Sequence, residues 1–346
     1  MKLPADLLRR PAARGARLVC LHQLDMAVHN APRLRNPEDA ESLHDFRVSL
    51  RRLRSLLKCF RRTLRPPFPR KHLRRIKKIA AATGQGRDAE VQAAYLRSWE
   101  KSFSPAHRKG VAWLRARLER LAAENCAAAV EAARLAFLES APVLREALPL
   151  PARVRRPPGA PPEPCFGGEA GKAALKTAAL LNRRLTVIGS ERDVERAHEA
   201  RIQGKRLRYL LEPLRDYSPA WKRLLTRLKS LQDILGELHD MHVLEDESVR
   251  IVEELALGGV RRRLRRALGE TPPRAAGGER PFDPTTGLLR LARRVREREK
   301  LLFRRLKRSW NDARRARFFG ELSALAEGLR LMEPLPLPAA PPRAQR

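Results

Sequence analysis

Residues 44–57 read HDFRVSLRRLRSLL and combine one histidine with four arginines. Each residue of an α-helix turns by about 100°, so Arg47, Arg51 and Arg54 form one stripe with His44 at its edge. The apolar residues of the segment gather on a different face. Guanidinium forks match the oxygen atoms of phosphate groups. The pattern predicts a helix that packs on one face and binds an anion along another.

The same pattern recurs in residues 198–211, which read HEARIQGKRLRYLL. The two segments align without gaps, pairing His44 with His198, Arg47 with Arg201, Arg51 with Lys205, Arg52 with Arg206, and Arg54 with Arg208. Like charges at this spacing repel one another by a few tenths of a kcal/mol per pair, and no carboxylate lies in either stripe. A single helix of this kind is most simply interpreted as a structural helix, with its arginines in solvent and its leucines packed in the core. The duplication instead favours an anion lying along both stripes.

A second matched pair follows each stripe. Residues 77–91 read KKIAAATGQGRDAEV and residues 229–243 read KSLQDILGELHDMHV, which aligns Lys77 with Lys229, Gly84 with Gly236, Arg87 with His239, and Asp88 with Asp240. The glycines are typical of helix C-caps and the aspartates of N-caps. Arg87 and His239 would then lie at helix N-termini, where backbone N–H groups attract anions. We predict both as secondary anion contacts.

The elements that position these residues are predicted to be helices throughout, so the fold class is all-α. Apolar residues recur at helical spacing, and Ala, Leu and Arg favour helices. The predicted helices cover residues 12–31, 39–64, 68–83, 88–103, 105–140, 172–189, 191–215, 219–236, 239–257, 286–312 and 317–331. The predicted organisation is a first helical half (1–148), a Pro/Gly-rich linker (149–171), a second helical half (172–332) with a loop at 269–287, and a disordered tail (333–346).

Charge sets the class of partner. The chain of 346 residues has 73 Lys and Arg against 39 Asp and Glu, a formal net charge of +34. An excess of this size favours nucleic acid, an acidic membrane or another polyanion. No stretch has the apolar length that crosses a bilayer, and the N-terminus lacks the apolar core of a signal peptide. We therefore expect a cytoplasmic protein without a membrane partner.

Catalytic and metal-binding patterns are missing from the sequence. The four cysteines are far apart and form no zinc-type spacing with histidines. There is no Walker loop, HExxH or GxSxG motif. The densest acidic group is expected to provide helix-surface ion pairs, and its members are Asp233, Glu237, Asp240, Glu245 and Asp246. We predict no enzymatic activity, no metal and no cofactor.

The paired segments HDFRVSLRRLRSLL and HEARIQGKRLRYLL, with the G-x-x-[RH]-D segments that follow them, resemble the CHAD domain, the conserved histidine α-helical domain. The resemblance extends over about residues 12–331. It implies two tandem four-helix bundles related by a pseudo-two-fold axis, with a basic central groove or pore that binds inorganic polyphosphate. The residues that it implies as ligands are His44, Arg47, Arg51, Arg52, Arg54, Lys77, His198, Arg201, Lys205, Arg206, Arg208 and Lys229. The ExExK motif of the triphosphate-tunnel domains that accompany some relatives does not occur, so the sequence is similar to a stand-alone CHAD protein.

The main alternative is a basic helical protein that binds nucleic acid. If the protein binds polyphosphate, nucleic acid would be a competitor. Single-stranded nucleic acid is usually bound with stacking aromatic residues among the cations. Phe46 and Tyr209 are the only Phe, Tyr or Trp residues in the two stripe segments, and Phe46 is expected in the core. Targeting to polyphosphate granules would use the same binding surface, and the sequence does not separate that role from simple binding.

Overall fold

The computed structural model describes residues 3–36, 38–39, 41–64, 66–84, 87–148, 164–270 and 282–334, without the side chains of Arg87 and residues 124–127. The helices in these ranges are α1 (Ala12–Arg33), α2 (Ser42–Cys59), α3 (Arg70–Ala82), α4 (Arg87–Trp99), α5 (Pro105–Glu146), α6 (Phe166–Thr186), α7 (Val194–Leu211), α8 (Pro219–Ala267), α9 (Thr285–Ser309) and α10 (Asp312–Arg330). The only β-type pairing in the described ranges is an isolated bridge between Pro11 and Cys165. The all-α prediction is confirmed.

Helix α2 forms because its apolar residues share one face. Phe46, Leu50, Leu53 and Leu57 are all buried, which leaves the arginine stripe on the side of the helix away from the core. Burying a Leu or Phe side chain contributes about 1.5–3 kcal/mol. The orientation of the stripe is therefore fixed by the packing of the opposite face.

Helices of the two halves pack on one another. Within the halves, α1 packs on α2 and α6 on α7, while α1 also contacts α6, α2 contacts α7, α4 contacts α8 and α5 contacts α9. The buried apolar residues form one cluster that runs from Leu7 to Leu329. Phe60 and Phe166 illustrate the shared core, with ring centroids 5.1 Å apart. The arrangement as two duplicated bundles around a groove stays a prediction, whereas the shared core of the described helices is observed.

The contact between α5 and α9 depends on two glycines. A Cβ on Gly110 would lie 2.6 Å from the carbonyl oxygen of Pro284, and a Cβ on Gly287 would lie 2.5 Å from that of His107. Neither distance is compatible with a side chain. The backbones of the two helices therefore meet directly at this crossing.

The predicted helices 219–236 and 239–257 are one continuous helix, α8, so the predictions of a C-cap at Gly236 and an N-cap at Asp240 are wrong. Leu235 and Leu238 are both buried and continue the apolar face across the glycine. Packing of that face outweighs the cost of a helical glycine, about 1 kcal/mol. In the first half a helix does end near the aligned glycine. Helix α3 ends at Ala82, and Gly84 donates its N–H to the Ala81 carbonyl at 2.8 Å. Asp88 lies within the first turn of α4 rather than before it.

Helix α6 begins at Phe166, inside the predicted linker 149–171. The Cys165 thiol caps this helix by accepting the Gly168 N–H at 3.3 Å. A Cβ on Gly171 would lie 2.5 Å from the Ala326 carbonyl oxygen of α10, so this glycine allows close packing and does not mark a linker. Residues 149–163, 271–281 and 335–346, which hold most of the predicted linker, loop and tail, lie outside the described residues.

Candidate functional site

The packing of α2 on α7 brings the two cationic stripes together. Arg51 of α2 lies within electrostatic range of both Arg201 and Lys205 of α7, and Arg208 acts on Lys205 as well. We call Arg51, Arg201, Lys205 and Arg208 the central cationic cluster. Its members come from both copies of the repeat, as the sequence predicts for residues that bind one shared anion.

The surroundings of Lys205 disfavour the charged form of its amine. Burial, reinforced by the charges of Arg201 and Arg51, lowers the pKa of Lys205 to about 7. Burial also lowers the pKa of Arg201, and the Arg51 charge adds to that effect. A negative group placed in the cluster would reverse both effects by stabilising the charged forms.

Three guanidinium groups of the cluster have unsatisfied hydrogen-bonding capacity. The Nε atoms of Arg51, Arg201 and Arg208 are buried and have no acceptor in the part of the chain that the structure describes. Arg51 and Arg201 also form no ion pair there. A buried donor without an acceptor costs about 1–3 kcal/mol. An anion bound in the cluster would supply acceptors for these donors.

Two predicted histidines lie side by side at the edge of the cluster. The Nδ1 atoms of His198 and His239 are 3.4 Å apart, and their ring centroids are 4.8 Å apart. Burial, and then the charge of Arg201, lower the pKa of His239 to about 4 and also lower that of His198. His239 lies in the middle of α8, so its predicted position at a helix N-terminus is wrong. The imidazole of His239 instead lies beside that of His198 at the edge of the cluster.

The equivalent residues of the first half are placed differently. His44 is exposed, and Arg47 donates to the carbonyl oxygen of Thr83. Arg47 also lies beside Gly84, so it closes the end of α3 as well as belonging to the stripe. The side chain of Arg87 lies outside the described atoms. The remaining predicted cations that are exposed and form no ion pair in the described structure are Arg54, Lys77, Arg206 and Lys229.

Glu212 is a residue of the site that sequence reasoning missed. Its carboxylate lies 2.6 Å from Arg52 of α2 and 3.4 Å from Arg208 of α7. The guanidinium of Arg208 also lies 5.3 Å above the ring of the buried Tyr209. The position of Glu212 four residues after Arg208 was the available signal, because such a spacing places both on one helix face. Arg52, a predicted ligand, is thus engaged in an ion pair in this structure.

Asp240 forms an acidic boundary to the cluster. Burial raises its pKa to about 6 against the opposing charges of Arg201 and Lys205, and Asp88 and Glu237 lie close enough to raise it further. Asp240 forms no ion pair with a described residue. Glu237 and Glu245 behave as predicted for helix-surface ion pairs, with Arg298 at 2.6 Å and Arg296 at 2.9 Å respectively.

The described residues contain no group of three or more His, Cys, Asp or Glu side chains placed to hold a metal ion. Among the described helices, none combines the length and apolar character required to cross a membrane. The chemistry that the arrangement offers is multivalent donation of charged hydrogen bonds to an anion.

Comparison with known proteins identifies the family. The family model of the CHAD domain matches residues 19–248, and the chain belongs to this family. The crystal structure of the CHAD domain from the plant Ricinus communis is similar over 94% of both chains, with 21% sequence identity and a TM-score of 0.56. This similarity supports the fold. Comparison with curated proteins finds no significant match.

Proposed function

We propose that this protein binds inorganic polyphosphate at the central cationic cluster without catalysing a reaction on it. The observation that carries the proposal is the convergence of Arg51 with Arg201 and Lys205 from the two copies of the repeat. Their charges repel one another, and burial disfavours the charged forms of Arg201 and Lys205. An anion with several charges would stabilise the whole group at once. The resemblance of the motifs to those of CHAD domains supports phosphate as the charged group.

A polymer fits the site better than a single phosphate ion. The exposed Arg54 extends the first stripe beyond the cluster, and the exposed Arg206 adds a cation on the flank of the second stripe. Arg47 and Arg54 are separated by about 10 Å along the helix axis. A chain of phosphates would contact cluster and extensions together. Each contact releases condensed counterions, so affinity should rise with polymer length and fall with salt.

The site does not resemble a surface for stacking nucleobases. Tyr209, the aromatic residue within the second stripe segment, is buried and covered by Arg208. Base stacking on aromatic rings supplies much of the affinity in single-stranded nucleic-acid binding. Polyphosphate has no bases, so the inaccessibility of such rings does not reduce its affinity. Binding in the cytoplasm, including attachment to polyphosphate granules, is part of this proposal.

The proposal is tested by competition at physiological salt. Labelled long-chain polyphosphate is bound to the protein and challenged with equal phosphate equivalents of duplex DNA, RNA and orthophosphate. The test variant is Arg51→Ala/Arg54→Ala/Lys205→Ala/Arg208→Ala. Its matched control is Arg261→Ala/Arg262→Ala/Arg263→Ala/Arg266→Ala, which removes the same charge from exposed residues of α8, about 32 Å along the helix from Asp240.

We expect polyphosphate to resist displacement, the cluster variant to lose at least about a hundredfold in affinity, and the control to lose far less. Free displacement by nucleic acid, or equal losses in the two variants, would show that the binding reflects net charge alone and would refute the proposal.

A further inference from the structure

The C-terminal end of α8 extends beyond the rest of the protein. The last ion pair that ties α8 to another helix near this end joins Glu254 to Arg117 of α5 at 2.9 Å. From Ala256 to Glu270 nearly every residue is exposed. We call residues Ala256–Leu268 the α8 tip. It is about 18 Å long and has no packing partner among the described residues.

The α8 tip has two chemically different faces. Leu257, Val260, Leu264 and Leu268 are between 54% and 63% exposed and fall within an arc of about 80° around the helix. The rest of the circumference carries five arginines and no carboxylate, and these are Arg261, Arg262, Arg263, Arg265 and Arg266. Four large apolar side chains left in water on one stripe indicate a contact surface.

We propose that the α8 tip binds the surface of an anionic phospholipid bilayer, lying in the plane of the headgroups. Apolar side chains would enter the boundary of the acyl region, while the flanking guanidinium groups would reach the lipid phosphates. The expectation of no membrane partner rested on the length needed to cross a bilayer. A helix that lies on the surface needs no such length.

Charge and composition disfavour the other occupants of this stripe. A second copy of the tip would bring two arginine faces together, and Glu270, 3.9 Å from Arg265, is the only carboxylate beside them in the described structure. The neighbouring residues 271–281 contain no large apolar side chain that could cover the stripe. A soluble polyanion would leave the apolar stripe in water.

The α8 tip is also a weak helix on its own. Gly258 and Gly259 stand in consecutive positions, and a Cβ on Gly259 would meet nothing within 4 Å. Glycine disfavours a helix relative to alanine because its backbone loses more freedom. With no protein contacts to offset this cost, an interface that binds one whole face would stabilise the helical form.

The test uses full-length protein and vesicles of phosphatidylcholine alone or phosphatidylcholine with phosphatidylglycerol, in flotation assays at physiological salt. The protein as a whole is strongly basic, so the informative variant removes apolar groups and keeps every charge. This variant is Leu257→Ser/Val260→Ser/Leu264→Ser/Leu268→Ser. All four side chains are exposed, so folding should be preserved, and polyphosphate affinity provides an independent check.

We expect binding to the phosphatidylglycerol vesicles, at least about tenfold weaker binding of the serine variant, and unchanged polyphosphate affinity of that variant. A single variant, Leu264→Trp, should show a blue-shifted fluorescence maximum on the anionic vesicles only. Equal binding of wild type and serine variant would overturn the proposal, because the attraction would then be electrostatic alone. A concentration-dependent dimer lost in the serine variant, without vesicle binding, would also overturn it by assigning the stripe to a second copy.

Discussion

Arg52 of α2 and Glu212, which follows α7, form an ion pair of 2.6 Å that joins the two halves of the chain. Arg51, the preceding residue, has no such partner among the described residues and lies near Arg201 and Lys205 instead. Two adjacent arginines therefore have different roles. Arg52 contributes to holding the halves together, while Arg51 contributes to the cluster.

This difference predicts unequal effects of the two alanine substitutions. Arg51→Ala should weaken polyphosphate binding by at least about tenfold. Arg52→Ala should weaken it less, and should lower the free energy of unfolding by up to about 1 kcal/mol, because the pair is partly exposed. Titration with labelled polyphosphate and urea denaturation measure the two quantities. Equal losses of affinity would contradict the assignment.

The depressed pKa of Lys205 predicts proton uptake on binding. In the free protein this amine titrates at about pH 7, and a bound polyanion favours the charged form. Affinity should therefore fall as the pH rises above 7, by up to about tenfold per unit. Calorimetry at pH 8 in buffers of different ionisation enthalpy measures the uptake. The variant Lys205→Arg, whose side chain stays charged, should lose this pH dependence.

The same residue should limit stability. The pKa of Lys205 is lower in the folded protein than its ordinary value of 10.5, so unfolding takes up a proton between about pH 7 and pH 10.5. The destabilisation is complete below pH 7 and disappears as the pH rises through that window. Lys205→Met should increase the free energy of unfolding at pH 7 by about 1 kcal/mol and weaken polyphosphate binding by about tenfold. The gain should shrink at pH 10, and a constant gain would point to packing instead.

Two helical glycines should respond in opposite directions to alanine. A Cβ on Gly236 would meet nothing within 4 Å, so Gly236→Ala should stabilise α8 by about 1 kcal/mol. Gly110→Ala should destabilise by several kcal/mol, since its Cβ would lie 2.6 Å from a backbone oxygen of Pro284. Thermal denaturation compares them. Stabilisation by both would show that helix propensity alone decides.

Buried Glu299 predicts a second pH dependence of stability. Its carboxylate accepts from Arg296 at 2.8 Å and lies 3.6 Å from His242, and burial raises its pKa to about 7. The folded protein thus keeps a proton that the unfolded chain releases, so the contribution to stability is complete below about pH 4.5 and is lost as the pH rises through 7.

The variant Glu299→Gln is neutral at every pH and should lack this loss. Its free energy of unfolding relative to wild type should increase by at least about 1 kcal/mol between pH 5 and pH 8. Glu297→Gln on the exposed face of α9 is the matched control and should show no such trend. Parallel pH profiles for wild type and Glu299→Gln would contradict the assignment.

The sequence predicts the helices and the two stripes because each depends on local periodicity. Leu50 and Leu53 had to pack, so the position of Arg51 and Arg54 on the helix followed. The proximity of Arg51 to Arg201 and Lys205 was indicated only indirectly, through the duplication. Which faces meet is decided by packing between distant helices, and the repeat says only that two copies exist.

The errors have the same origin. Gly236 has the local signature of a helix end, but buried residues on both sides keep α8 continuous. Asp240 resembled an N-cap for the same reason, and its place beside Lys205 follows from the uninterrupted helix. Glu212 carried too little local pattern to distinguish it from other acidic residues, because its partner Arg52 comes from the other half.

Helix α8 is a single rod of 49 residues, about 74 Å long, whereas its counterpart in the first half is divided into α3 and α4. The two copies of the repeat thus align in sequence, but one forms a continuous helix and the other forms two helices. One side of the cluster is backed by a continuous helix, and the other by two helices, of which α3 ends at Ala82 and α4 begins at Arg87. The two ends of a linear polyphosphate are chemically identical. If the polymer binds as proposed, they would become inequivalent, because one end would leave the cluster along the continuous helix and the other along the pair of shorter helices.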